Sequence, residues 1–284
     1  MFHHKKSVWL LLLPGLLGLV AFYLAPFLGG VYYSLTDGTF KNNFVWFQNY
    51  AEIWQNEMFR LGLKNTMELS LLCAPVIWVL SFVLAAMLRT LGRRGAFFRN
   101  ALLLPYLMPS SALLLIWLLM FDYGGVINRA CVALGIGRVL WLEGGALRVP
   151  VVVLYIWKNL GFSVVIFAAA LQTVPEAYYE YASLEGASAF QRETKITLPL
   201  IIPTAFLVFM LAWLNAFKIF KEVYFIGGAY PDETVYTLQH FMNNKFARLD
   251  YQDVTTAAYS FAVIVFALFG MMYLSRAVRS TNQA

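Results

Sequence analysis

Six long apolar stretches restrict what this chain can fold into more than any other feature of its sequence. Ser7 to Thr36 runs for thirty residues without Asp, Glu, Lys or Arg, and Leu69 to Leu88, Asn100 to Phe121, Ile196 to Phe217 and Val254 to Ser275 each run for twenty to twenty-two. The sixth, Val149 to Pro175, is twenty-seven residues long and is interrupted only by Lys158. About 20 apolar residues of helix cross a hydrocarbon core of about 30 Å, so each stretch is long enough to span a bilayer once. In lipid a segment must satisfy its own backbone N–H and C=O groups, and runs of this length do so as helices. The prediction is an all-α, polytopic membrane protein with six transmembrane helices, forming a single transmembrane domain over 1–284. Six crossings return both termini to one side.

Lys and Arg concentrate beside spans on the cytoplasmic side. Ten of them, Lys5, Lys6, Arg89, Arg93, Arg94, Arg99, Arg192, Lys195, Arg276 and Arg279, share a side with the N-terminus in about fifty-five residues, whereas ten others spread over about ninety-three on the far side. The density places both the N- and the C-terminus in the cytoplasm, and the cluster from Arg89 to Arg99 is its strongest element. The net charge of +6 reflects this bias. The basic residues stand singly beside spans and form no aromatic-interleaved patch, so no nucleic-acid partner is implied. The first run exceeds a signal-peptide core and no small-residue cleavage site stands out, so it is read as a retained span. Two cysteines, Cys73 inside the second run and Cys131 outside the membrane, do not make a disulfide framework.

Among the connecting segments, Phe40 to Lys64 mixes Phe44, Trp46, Phe47, Tyr50 and Trp54 with polar residues, the composition of an interfacial helix. GGAYPDE, Gly227 to Glu233, marks a turn in the last external segment. The cytoplasmic segment from about 172 to 199 says most. Only 13% of the chain is charged, yet five charged side chains lie between Glu180 and Pro199. Thr173-Val-Pro-Glu176 has the spacing of a capping box with proline in the first turn, which predicts a helix over about 174–184. Gly186 stands where a left-handed residue ends such a helix, or where two backbones touch. Ser188-Ala-Phe-Gln191 repeats the capping-box pattern and predicts a second helix that Pro199 stops. On the first helix Ala177, Tyr178, Tyr181 and Leu184 share one face. A short knob of this kind is either a docking element for another protein or an ordinary amphipathic connector.

The chemistry that would make the chain an enzyme is missing. No G-x-x-x-x-G-K-[ST] phosphate loop occurs, so no nucleotide site is expected, and His3, His4 and His240 are the only histidines, with no metal-ligand spacing. No nucleophile elbow is present. Intramembrane polar residues are the remaining leads, because charge in a span normally faces protein or water. Lys158, Asn159 and Asn215 are candidates for a substrate path, with Trp157 or Trp213 placed to stack on a sugar face. The alternative is that they join helices.

Glu180-Tyr-Ala182, Glu185-Gly186-Ala187 and Ile196-Thr-Leu198-Pro199 resemble the EAA motif of the permease subunits of binding-protein-dependent ABC importers. WFQNYAEIW, KNT at Lys64 to Thr66, LLPYLMPS, GGVIN, IWKNLGF and GGAYPDETVYTL extend the resemblance to the carbohydrate-uptake branch of that family. The resemblance implies a type I ABC importer permease fold with a cytoplasmic coupling helix between spans four and five, in a prokaryotic cell membrane. It implies as partners a second homologous permease subunit, two copies of a cytoplasmic ABC ATPase that uses the ATP, and an extracytoplasmic solute-binding protein, all amid membrane lipid. It also implies that Glu180, Tyr181, Ala182, Glu185, Gly186, Ala187, Leu198 and Pro199 carry the ATPase contact, with Glu180 bonding the socket, Ala182 permitting close approach and Gly186 setting the turn. No cofactor is expected on this chain. Tyr181 and Glu193 depart from the motif, and Glu193, where an aromatic is usual, is expected to loosen the seat of the second helix. A permease for a non-sugar solute shares the loop. A secondary transporter driven by an ion gradient calls for paired intramembrane carboxylates, and no Asp or Glu is expected well inside any span. A six-span sensor or assembly factor has no need of the loop.

Overall fold

The computed structural model describes residues 3–39 and 41–281. Phe40, and the side chains of Lys5, Lys6, Arg93, Arg276 and Arg279 used in the charge count, lie outside the described residues. In chain order the α-helices are α1 (His3–Leu19), α2 (Ala25–Ser34), α3 (Gln48–Gln55), α4 (Glu57–Thr90), α5 (Arg93–Leu107), α6 (Ser110–Phe121), α7 (Val126–Ala133), α8 (Arg148–Leu171), α9 (Glu176–Leu184), α10 (Ala189–Arg192), α11 (Leu198–Leu200), α12 (Ile202–Ala216), α13 (Phe220–Gly227), α14 (Leu238–Ala247) and α15 (Tyr251–Thr281). No strand occurs among the described residues beyond one isolated bridge, Thr36 with Phe44.

Six segments are long and apolar enough to cross a membrane: Leu11–Ser34, Glu57–Thr90, Ser110–Ala133, Gly144–Leu171, Ile202–Gly227 and Tyr251–Met272. Their number agrees with the sequence, while their boundaries shift, and the starts of the third and fifth spans shift for a local reason. The expected third span, Asn100 to Phe121, breaks at Met108 and Pro109, which are extended with ψ of 145° and 131°. Proline disfavours the helical conformation in the residue before it, and with Met108 extended here α5 ends and α6 begins afresh at Ser110. The fifth span starts at Ile202 and not at Ile196, because Ile201, at φ −99° and ψ 11°, interrupts the helix. Pro203 then falls in the first turn of α12, where a missing N–H costs nothing.

The chain gathers into two compact units, residues 1–63 with 241–284, and residues 64–240. In the first, the Tyr259 hydroxyl donates to the Phe27 carbonyl, and the two rings meet edge to face at 5.3 Å. The aromatic segment after residue 40 includes the expected helix, α3, and the Tyr50 hydroxyl donates to Ser34 Oγ at 2.9 Å.

The second unit packs α5 against α8. Gly161 permits this, since a Cβ there would lie 1.9 Å from the Leu102 carbonyl oxygen. Lipid tails are as apolar as leucine, so helices in a bilayer gain from such close approach at small residues. Tyr106 and Phe162 stack beside the crossing at 4.9 Å. Farther along α8, Val164 and Phe167 are fully buried with Ala85 of α4 and Val208 of α12. Trp78 and Phe82 each meet the Phe167 ring edge-on, and Trp78 Nε1 donates to the Ala205 carbonyl at 2.7 Å. The KNT stretch has a structural role: Asn65 Nδ2 donates to the carbonyls of Glu233 and Tyr236 at 2.6 and 2.9 Å, and Thr66 Oγ1 accepts from Leu238 N–H at 2.9 Å. It thereby holds the segment that follows GGAYPDE.

Candidate functional site

Between α8 and α12 the chain folds as a helix, a glycine turn and a second helix. The expected capping box at Thr173 does not form. Thr173 Oγ1 donates back to the Ala170 carbonyl at 2.7 Å, and α9 starts two residues later than expected, at Glu176, with no side-chain cap. The last carbonyls of α8 have no partner four residues on, and the Ala170 carbonyl takes both the Thr173 N–H, at 3.1 Å, and the Thr173 hydroxyl. Pro175, extended at ψ 135°, supplies the entry into α9.

The exit of α9 is a Schellman turn. Ala187 N–H donates to the Ala182 carbonyl at 2.9 Å and Gly186 N–H to the Ser183 carbonyl at 3.1 Å. Gly186 has φ of +77°, and a Cβ on it would meet nothing within 4 Å. Of the two readings of this glycine, the left-handed turn holds and the backbone contact does not. Both bonds of the Ser188 capping box are made: Gln191 N–H donates to Ser188 Oγ at 3.3 Å, and Ser188 N–H to Gln191 Oε1 at 2.8 Å.

Pro199 does not stop the second helix. Residues Glu193–Thr197 form a π turn, and the chain stays helical through Leu200. The wider turn shifts the bonding register, so that Leu198 N–H reaches the Glu193 carbonyl and Pro199 enters α11 in its first turn, where no donor is required.

The predicted face of α9 is open. Tyr178 is 51% exposed, Tyr181 67% and Leu184 86%, with Phe190 of α10 beside them at 77%. Glu176, Glu180, Glu185 and Gly186 are also exposed, whereas Ala182 is buried within the chain and Ala187 is half-buried. Leu198 and Tyr179 turn inward onto the Phe167 core, which seats the loop on the helices.

A clamp that sequence reasoning missed fixes that seat. Arg89, in the last turn of α4, forms a short ion pair with Glu193 and donates to the Tyr179 hydroxyl at 2.6 Å. Its guanidinium also lies 4.4 Å from the centre of the Tyr179 ring. The Tyr179 hydroxyl is hydrogen-bonded to Thr197 Oγ1 at 2.8 Å. Arg192 Nη1 reaches Ser183 Oγ at 3.0 Å, and Ser183 bonds the Tyr179 carbonyl at 2.6 Å. The expectation that Glu193 loosens the second helix is therefore corrected: its charge ties that helix to the end of α4. Glu193 and Arg89 are about a hundred residues apart, and only their opposite signs linked them in the sequence.

Within the spans, Lys158 Nζ donates to Glu222 Oε1 of α13 at 2.6 Å and to Ser110 Oγ of α6 at 2.7 Å. The two charged side chains are 14% and 4% exposed. Glu222 overturns the reading that no acid lies well inside a span. The fifth apolar run was ended at Phe217 because Lys218, Lys221 and Glu222 follow it, but Glu222 falls within the segment Ile202–Gly227 and is neutralised there. Asn159 Nδ2 donates to the Tyr155 carbonyl of its own helix at 2.8 Å, and Asn215 Oδ1 accepts from Lys218 Nζ at 3.2 Å. Trp213 is buried and donates to Ser70 Oγ at 3.1 Å, so it has no face for a sugar. Trp157 is 41% exposed and stacks on Trp117 at 5.6 Å. No group of metal-ligating side chains occurs among the described residues.

Residues 78–280 match a protein family described as the binding-protein-dependent transport system inner membrane component. The diacetylchitobiose uptake system permease protein NgcF of Streptomyces coelicolor is 30% identical over 277 residues, covering 90% of this chain and 78% of that protein. The sn-glycerol-3-phosphate transport system permease protein UgpA of Yersinia pestis is 28% identical, covering 93% and 90%. A bacterial ABC transporter involved in the import of the acidic polysaccharide alginate has a chain of the same fold, with a TM-score of 0.84 at 22% identity and 96% of each chain covered.

Proposed function

The chain belongs to the family of binding-protein-dependent transport system inner membrane components, and from that membership we propose that it is the permease subunit of an ATP-driven importer, providing half of the path for a sugar or sugar derivative. The relatives named for diacetylchitobiose and for sn-glycerol-3-phosphate support a hydroxyl-rich solute. ATP hydrolysis belongs to a separate subunit, and an external binding protein delivers the solute. The finer composition is a second homologous permease and two ATPase copies, with both termini and the α9 loop in the cytoplasm.

The observation that carries this reading is the loop itself: an exposed apolar and acidic knob on a rigid mount. Closure of two ATPases on ATP would move the socket in which α9 sits. A handle transmits that motion only if it does not bend, and the Schellman turn, the Ser188 capping box and the Arg89 clamp each remove a way to bend. Glu180 and Glu185 are placed to bond the socket, and Tyr181 and Leu184 to fill it. Asn159 is proposed as a wall of the path. Lys158 and Asn215 are secondary candidates, because the groups they touch already engage them. An ion-coupled mechanism is not favoured, since Glu222 is engaged by Lys158 in an ion pair.

The test is to purify the tagged chain in mild detergent beside Gly186→Val and Glu180→Lys. An ATPase that accompanies the normal chain and is lost from both variants supports the reading, while a normal chain that emerges alone under conditions preserving other membrane complexes overturns it. In the same preparations Asn159→Leu is expected to keep the ATPase and to lose most uptake; unchanged uptake removes Asn159 from the path.

A further inference from the structure

A cleft of about 260 Å³ opens beside the loop's mount, between the last turn of α4, the turn into α5 and the last turn of α8. Its polar side chains are Arg89, Arg99 and Gln172, its remaining walls are small or apolar residues such as Gly92, Gly95 and Ala96, and no carboxylate lines it. Arg89 spends Nη2 on Glu193 and Nη1 on Tyr179. Arg99 is half-buried and has no acid partner among the described residues. The cluster thus holds two guanidiniums against one carboxylate. A guanidinium presents a planar fork of donors suited to phosphate oxygens, and Gln172 adds an amide donor. The cleft is several times the roughly 30 Å³ share of one water, room enough for a phosphodiester. Next in the chain to the lining residues, the apolar side chains of Phe97, Phe98 and Leu91 are 72%, 50% and 47% exposed.

We propose that this cleft binds a phosphate-bearing anion, held by Arg99 and Gln172 and sharing Arg89 with Glu193. Basic pockets between spans on one face of a membrane suit lipid headgroups, and the outward Phe97 and Phe98 would stand among acyl chains, which makes an anionic phospholipid the favoured source over soluble phosphate. Because Arg89 also clamps Glu193, occupancy would be felt at the mount of the α9 loop.

The test uses the full chain, with whatever subunits it carries, in nanodiscs of phosphatidylcholine alone, of phosphatidylcholine with phosphatidylglycerol, and of phosphatidylcholine with added inorganic phosphate. The normal chain is expected to melt a few degrees higher with phosphatidylglycerol, with Arg99→Gln losing that gain and Arg99→Lys keeping part of it. Ala96→Leu fills the cleft without changing its charge and is expected to lose the gain as well, which guards against a folding defect in Arg99→Gln. A gain from inorganic phosphate that Arg99→Gln removes would support the anion site and assign it to a soluble phosphate. A gain that survives both Arg99→Gln and Ala96→Leu, or no gain from either anion, overturns the proposal.

Discussion

Arg89 touches three parts of the loop at once: the ring and hydroxyl of Tyr179, the carboxylate of Glu193 and, through Tyr179, the hydroxyl of Thr197. Losing either charge alone leaves the other half-buried and unanswered, at a cost of about 1–3 kcal/mol. Arg89→Met and Glu193→Leu are therefore each expected to destabilise the chain, and the double variant by less than their sum, with a coupling of about 1–2 kcal/mol in a melting-based double-mutant cycle. In proteoliposomes with the ATPase the single variants should keep hydrolysis and lose uptake, and uptake equal to that of the normal chain would show that the clamp transmits nothing. His240 gives a second residue-scale prediction. Thr237 N–H points at its Nδ1 at 3.1 Å, so that nitrogen accepts and the proton sits on Nε2, which is buried without a partner. Burial pushes this imidazole down to about 4 from 6.5. The unfolded chain takes up a proton that the folded chain refuses, so stability is complete above about pH 6.5 and falls as pH drops toward about 4, by roughly 3 kcal/mol at most. A melting profile over that window should be flattened in His240→Gln.

At the scale of elements, the α5–α8 crossing depends on the absence of one methyl group. Gly161→Ala already places a Cβ 1.9 Å from the Leu102 carbonyl, which forces a backbone shift. Overpacking of this kind costs about 1–3 kcal/mol, and more for Gly161→Val, so the yield of monodisperse protein on size exclusion should fall in that order. The two capping boxes show why local signals were legible only in part. Ser188 and Gln191 stand at the right spacing and nothing competes for the serine hydroxyl, so the motif forms as read. Thr173 and Glu176 have the same spacing, but the end of α8 claims the threonine first. Pro199 was read as a stop because a proline ends an α-helix, and the π turn ahead of it removes that conflict. Glu222 was hidden for a longer-range reason. A charge ends an apolar run when the sequence is read locally, while its neutralising partner lies 64 residues away on another helix.

For the molecule as a whole, the six spans were legible because lipid imposes one length on all of them, and the sidedness rests on the Lys and Arg count alone. Cys73 is buried, so a single introduced thiol offers a direct check. With both termini and α9 in the cytoplasm, a membrane-impermeant maleimide should label a chain carrying Cys131→Ser and Ile136→Cys, whose new thiol lies beyond the third span, in intact cells stripped of their outer layers. A chain carrying Cys131→Ser and Ala189→Cys should label only after the membrane is opened, and the opposite pattern would invert the topology. The pairing of Lys158 with Glu222 has an electrical consequence. A lone lysine carried through the full membrane field exchanges about 2.3 kcal/mol for every 100 mV of potential. Lys158 and Glu222 move as a neutral couple, so any rearrangement that keeps them together displaces almost no charge along the field, and the resting voltage of the cell neither assists nor opposes it.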